Sequence, residues 1–222
     1  MIELLEKILP YAIRIPVVLI SLTVHEVSHG LMAYRLGDTT ARDMGRLSLN
    51  PLRHLTLIGS LCMLLFGFGF AKPVPIDTRR FKNPKRDMAL TAIAGPLSNF
   101  ILAFFGVIIE AVLLKIPLNT EVKDFGYWVI VITYSFIYAF IMLNIGLGMF
   151  NLIPLPPLDG SRVLLVFLPQ RLYFGVMKYE QYIMIGLFAL IWSGMLDGFL
   201  VSARDTIYNG FYYVVHAIPF LK

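Results

Sequence analysis

The sequence predicts an α-helical integral membrane protein: a bundle of about four to six transmembrane helices with a short re-entrant or β-hairpin insertion. Three observations carry this reading. Of 222 residues, 58% are hydrophobic and only 15% charged, against about 45–50% and about 25% in soluble domains. Four windows are apolar and nearly free of charge: 15–34, 88–114, 127–153 and 181–196. A span needs about 20 mostly apolar residues. The first three windows supply them, and the fourth does so if it continues to Val201 across Asp197. The third observation is an uncharged run at 55–71 with a basic stretch on each side.

The elements follow in order, in one membrane-embedded domain with its core at 8–201. A first helix runs from about Ile8 to Leu36, with Pro16 as a possible kink and Gly37 as its stop. Glu3 and Glu6 beside Lys7, with no small-residue cleavage site, make it an uncleaved span. Next come the two basic stretches, the first with Arg42, Arg46 and Arg53, the second with Lys72, Arg79, Arg80, Lys82, Lys85 and Arg86. If the run between them crossed the membrane, one basic stretch would lie outside, against the positive-inside rule. The run 55–71 is therefore read as re-entrant. Gly59, Gly67 and Gly69, then Pro73 and Pro75, make it irregular, and the alternation Gly67-Phe68-Gly69-Phe70 suits a short strand. Irregular backbone at membrane depth is tolerated only against protein or a water-filled cavity.

Residues 37–87 hold nine of the nineteen Lys and Arg residues, which places that segment in the cytoplasm and 115–126 outside. Crossings are expected at 88–114, 127–153 and 181–201, followed by an aromatic interfacial tail at 202–222. The net charge of +5 is grouped beside apolar spans, so it argues for a lipid bilayer as partner and against nucleic acid. A single cysteine, Cys62, excludes an internal disulfide framework.

The chemistry centres on His25-Glu26-Val27-Ser28-His29, an H-E-x-x-H sequence inside the first helix. Residues four apart share a helix face, with Cβ atoms about 5–6 Å apart, so both imidazoles can grip one zinc ion. Glu26 borders the same face and can act as general base without ligating the metal. Three such groups within five residues of a membrane span need a partner that repays their desolvation, and zinc does so. His29 lies eight residues before Gly37, about 12 Å inside the helix end. The metal would thus sit below the membrane surface on the cytoplasmic side.

A catalytic zinc takes three protein ligands plus water. The remaining histidines are His54, at the opening of the re-entrant run, and His216, in the tail. The better candidate is Asp159, in Asn151-Leu152-Ile153-Pro154-Leu155-Pro156-Pro157-Leu158-Asp159-Gly160. Three prolines break the helix before it, and Gly160 permits a sharp turn. The competing role is a helix-capping Asp.

Taken together, HEVSH at 25–29, AGPLSN at 94–99 and NLIPLPPLDG at 151–160 resemble, in order, the three motifs of site-2 proteases, the intramembrane zinc metalloproteases. GRLSLNP at 45–51 and AKPVPID at 71–77 are similar to the compact bacterial branch without a PDZ or CBS domain, which implies a bacterial cell membrane. The resemblance covers roughly 25–200. It implies one zinc ion held by His25, His29 and Asp159, with Glu26 as general base. It also implies an auxiliary role for Asn151, whose amide could bind the substrate or the developing oxyanion. Asn99 is either a substrate-binding residue or an interhelical hydrogen bond among small residues. The strand Gly67–Phe70 would pair with an unwound segment of a transmembrane protein or peptide substrate. The alternative from another class is a non-catalytic zinc-binding membrane adaptor or metal transporter. Glu26 argues against it, because a transporter needs ligands but no general base. The substrate's identity and the oligomeric state are not encoded in these motifs.

Overall fold

The computed structural model describes residues 2–54, 56, 59, 61–62, 72–117, 125–164, 166–169, 172, 175–176 and 178–221, with side chains from residue 9 onward. The described residues form seven α-helices and no strand: α1 Ile2–Arg35, α2 Thr40–Asp43, α3 Pro84–Leu113, α4 Phe125–Asn151, α5 Asp159–Leu164, α6 Glu180–Trp192 and α7 Asp197–His216. Short 3-10 turns add Pro51–Arg53, Thr78–Arg80 and Pro219–Leu221. The expected strand Gly67–Phe70 lies outside the described residues.

Among the described residues three helices are long and apolar enough to cross a membrane, Leu9–Arg35 within α1, α3 and α4, and the bent pair α6 and α7 makes a fourth if it is one span. Helix α1 passes Pro10 and Pro16 without interruption. It stops where Gly37 takes a left-handed φ of 110°. There the Asp38 N–H bonds the Ala33 carbonyl and the Gly37 N–H bonds that of Tyr34, a paired closure that satisfies carbonyls the helix leaves orphaned. A residue with a Cβ would be strained at that φ.

The three spans pack as neighbours, with α3 antiparallel to both α1 and α4. Going along α3, Thr91 meets His29 and Asn99 meets His25, while Asn99 also meets Asn144 of α4. Farther on, Gly106 meets Ile141. Ala103, Val107 and Ala111 of α3 pack with Ile137, Ile141 and Ile145 of α4, and Val215 of α7 joins this cluster. Hydrocarbon offers little hydrophobic drive to helices that are apolar all round, so small residues permit the close contact from which dispersion draws its strength.

The final apolar segment differs from the expected single crossing at 181–201. Helix α6 ends at Trp192, and α7 leaves at 85° after a break of four residues that contains Gly194 at φ 71°. Residues 197–216, within the expected aromatic tail for most of their length, are helical and pack on α3 and α4. Phe211 meets Phe104 with ring centroids 5.5 Å apart. The Tyr208 hydroxyl donates to Glu110 Oε2 at 2.8 Å. Glu110 is buried near the C-terminal end of α3, and an intramembrane carboxylate requires such a partner.

The described residues on either side of 55–71 meet, the Lys72 N–H bonding the His54 carbonyl at 2.7 Å, while Arg46 reaches Lys72 and Arg80 reaches Thr39, so the two basic stretches sit at one end of the molecule.

The α3–α4 contact yields a stability prediction. A Cβ on Gly106 would stand 2.6 Å from Ile141 Cγ1, an atom held inside the cluster. Gly106→Val should force the helices apart and destabilise the fold by about 1–3 kcal/mol, read as a lower thermal unfolding midpoint in detergent.

Candidate metal centre and active site

His25 and His29 present their Nε2 atoms on one face of α1, 3.0 Å apart. Asp159, the first residue of α5, brings Oδ2 to 3.2 Å from each. The second nitrogen of each ring is already committed. His29 Nδ1 faces the Thr91 carbonyl at 2.7 Å, which can only accept, so Nδ1 carries the ring proton. His25 Nδ1 donates to Asn99 Oδ1 at 2.6 Å. Both Nε2 atoms of the neutral rings are therefore lone-pair acceptors. Three acceptors converging at 3.0–3.2 Å repel one another unless a positive charge lies between them.

This triangle matches a metal. Zinc–nitrogen bonds of about 2.0–2.1 Å in a tetrahedron imply ligand–ligand edges of about 3.3 Å. Asp159 Oδ2 has no hydrogen-bond donor on it, and among the described residues no N–H of α5 bonds this carboxylate. It can hold a cation; it does not cap the helix. His54 is elsewhere, fully buried, with Nε2 bonded to the Ser48 carbonyl. His216 stacks on Tyr212 at the end of α7.

The proline-broken backbone delivers Asp159. Helix α4 ends at Asn151, and the chain returns through 152–158 to start α5. Gly160 is needed there for a reason other than turn geometry, since its φ is not left-handed. A Cβ on it would run into the Leu152 carbonyl oxygen and stand 2.6 Å from the Ile153 oxygen. The bare glycine lets α5 press against the end of α4. Gly95 does the same for α3. A Cβ there would overlap the His29 ring and stand 2.7 Å from His25 Cε1.

Glu26 is buried, and its Oε2 accepts from the Val74 N–H at 2.9 Å. It lines a cavity of about 1360 Å³ shared with His25, His29, Val74, Asn151 and Asp159. Thus the H-E-x-x-H face, Asp159 and Asn151 come together around one space. Asn151 donates its amide to the Leu147 carbonyl of its own helix at 3.0 Å, so an oxyanion would have to draw that donor away.

Asn99, expected either to bind substrate or to make an interhelical hydrogen bond, stands behind the metal centre and is not among the residues that line the cavity. It is fully buried, and both ends of its amide are spent. Its oxygen takes His25, and its nitrogen donates to Asn144 Oδ1 at 2.7 Å. Asn144 in turn donates to Ser21 Oγ at 2.8 Å and to the Phe140 carbonyl. A ring nitrogen held this way fixes the tautomer and aim of the other. Sequence reasoning missed Asn144, Ser21, the Thr91 carbonyl and the Val74 N–H. Only Asn144 left a signal: an amide in an otherwise apolar span needs a partner inside the bundle.

Gly95 gives a sharp test of this packing. Gly95→Ala should turn or displace the two imidazoles and cut the zinc content of purified protein strongly, while helical content stays near wild type. Metal analysis beside circular dichroism checks both.

A family model described as peptidase family M50 matches residues 13–194. The candidate zinc metalloprotease YwhC of Bacillus subtilis is 35% identical over 212 residues, 90% of each chain. The candidate zinc metalloprotease Rip2 of Mycolicibacterium smegmatis is 31% identical over 148 residues, 64% of this chain and 52% of that protein. The zinc metalloprotease MJ0392 of Methanocaldococcus jannaschii is 26% identical over 76% of this chain and 37% of that one. No solved structure matches the chain. The match over 13–194 encloses the metal centre, Glu26 and all three candidate spans except the first few residues of α1, and the chain belongs to peptidase family M50, the site-2 protease family of intramembrane zinc metalloproteases.

Proposed function

We propose that the chain hydrolyses peptide bonds within or next to transmembrane segments of membrane-protein substrates, with one zinc ion held by His25 Nε2, His29 Nε2 and Asp159 Oδ2. The observation that carries this is the triangle of acceptor atoms beside a buried carboxylate, all facing one cavity inside the bundle. When bound, zinc polarises the scissile carbonyl and makes water ionisable near neutral pH. Glu26 takes the proton of the attacking water and delivers it to the leaving amine nitrogen. The Val74 N–H occupies only Oε2, so Oε1 is left to accept that proton. Asn99 and Thr91 take the Nδ1 protons of the two imidazoles and so aim each Nε2 at the metal position. Asn151 serves the substrate or its developing oxyanion from the cavity wall.

A transmembrane helix hides its peptide groups in its own hydrogen bonds and must unwind before attack. Residues Gly67, Phe68, Gly69 and Phe70 hold the unwound segment by strand addition. Support for this is positional: Lys72, which follows the run in sequence, is tied to His54, and Val74 two residues on lines the cavity. The basic end of the bundle faces the cytoplasm of a bacterial cell, and the metal lies on that side of the bilayer.

Three variants test the chemistry. Glu26→Gln should keep zinc yet lower cleavage of a model transmembrane substrate by at least the roughly 100- to 10,000-fold of a positioned base; normal turnover would sink the mechanism. His25→Ala should lose metal and activity together. Asp159→Ala should lose most of its zinc, since two histidines alone leave half the coordination open; full zinc content would return Asp159 to a purely structural role.

Orientation has its own readout. With Cys62 replaced by Ser, single cysteines at Ser48 and Thr78 should resist an impermeant thiol reagent applied to intact cells, while one at Thr120 should react. External labelling at Ser48 and Thr78 would invert the assignment.

A further inference from the structure

The placement of Glu26 depends on residues well outside the H-E-x-x-H sequence. Its partner, Val74, belongs to the segment 72–77, which has no regular secondary structure. Proline at 73 and 75 has no N–H and restrains the backbone, so Val74 carries the one backbone donor between Lys72 and Ile76. Three tethers fix where that donor points. The Lys72 N–H bonds the His54 carbonyl, and the Asp77 N–H bonds Asp38 Oδ2, each at 2.7 Å. The third is Arg46. Its Nη2 donates to the Lys72 carbonyl at 2.7 Å and to the Pro73 carbonyl at 3.3 Å. These are the two carbonyls immediately before Val74.

Arg46 is itself aimed by the fold. Helix α2 ends with Gly45 at φ 65°, the Gly45 N–H on the Arg42 carbonyl and the Arg46 N–H on the Ala41 carbonyl. This closure turns the chain so that the Arg46 side chain runs inward, where it is 9% exposed. No carboxylate forms an ion pair with it among the described residues. A buried guanidinium whose side-chain partners among the described residues are main-chain carbonyls costs desolvation that surface anchoring would not require.

We propose that Arg46 is a positioning residue for the reaction: it clamps the backbone at 72–73 so that the Val74 N–H holds Glu26 in register with the scissile bond. The proposal rests on Glu26 as general base. Proton transfer requires heavy atoms within about 2.6–3.2 Å, so slack in the 72–74 backbone is felt at Glu26 before it is felt at the metal, whose ligands hang from α1 and α5.

The experiment compares wild type, Arg46→Gln, Arg46→Lys and Glu26→Gln in detergent, with metal content, unfolding midpoint, kcat and KM on one model transmembrane substrate. Arg46→Gln should lower kcat about tenfold, with KM within about twofold and zinc at the wild-type level. Arg46→Lys should fall between, and methylguanidinium should recover part of the kcat of Arg46→Gln. Wild-type kcat in Arg46→Gln would overturn the proposal. So would a rise in KM at constant kcat, which would make 72–77 a substrate ledge alone, or zinc loss in step with activity, which would make Arg46 a general scaffold residue. Should Arg46→Gln fail to fold, Arg46→Lys decides: a lower kcat with zinc and KM unchanged supports the clamp, and an unchanged kcat overturns it. Glu26→Gln keeps the two readings apart, because its activity alone would remove the general base while an inactive Glu26→Gln beside a normal Arg46→Gln would remove only the clamp.

Discussion

Everything at the centre of this molecule follows from three acceptor atoms that repel one another. His25 Nε2, His29 Nε2 and Asp159 Oδ2 stand 3.0–3.2 Å apart in a buried site. In an apolar surrounding such a cluster is tolerable only around a positive charge. The bundle does nothing to relieve the conflict by turning the rings. Instead it enforces it, by taking the ring protons on the opposite nitrogens with Asn99 and Thr91. A site that holds its lone pairs together is one built for a cation, and zinc supplies it in this family.

Enforcement comes from the same contacts that assemble the helices. Ser21, Asn99 and Asn144 bring one polar group each from α1, α3 and α4, and their hydrogen bonds run continuously from the helix interface to His25. In a bilayer, interhelical amide bonds are a principal adhesive. Here the adhesive and the metal's supporting shell are one network. Removing Asn144 would therefore loosen the helix pair and the aim of His25 in one step. The apolar cluster around Ile141 and Val107 lies on the other side of this network and carries the remaining packing.

Legibility in the sequence varied with the range of the interaction. The spans were visible because bilayer thickness acts on each segment alone, and windows 88–114 and 127–153 coincide closely with α3 and α4. The stop at Gly37 was visible because it is set within five residues. Asp159 was legible only as a choice between ligand and cap, since the choice is made by where α5 sits against α1. Asn99 was undecided for the same reason: its two roles differ only in which way a buried amide faces. The bend between α6 and α7 was missed because the window 181–201 is apolar apart from Asp197, while Tyr208 and Phe211 beyond it pack on the far end of α3 and α7 leaves at 85°. Gly160 was noticed for the wrong property. Its importance is the absence of a Cβ against the Leu152 carbonyl, and no local pattern announces a close approach to a residue eight positions away.

Hydrolysis inside a bilayer demands water, charge and a strained peptide where the solvent tolerates none of them. The structure answers by concentrating the polar groups at one depth and moving main chain to them. Glycine is the means on two sides, Gly95 bringing α3 against the imidazoles and Gly160 bringing α5 against α4. Proline is the means on the third, where Pro73 and Pro75 strip donors from the segment 72–77 until Val74 presents one N–H to Glu26. Each device shortens a distance without adding a further charged group to the membrane interior. The centre therefore needs only two histidines and two carboxylates at the metal, with neutral amides, carbonyls and one backbone N–H behind them. That economy is what the desolvation cost of buried charge requires.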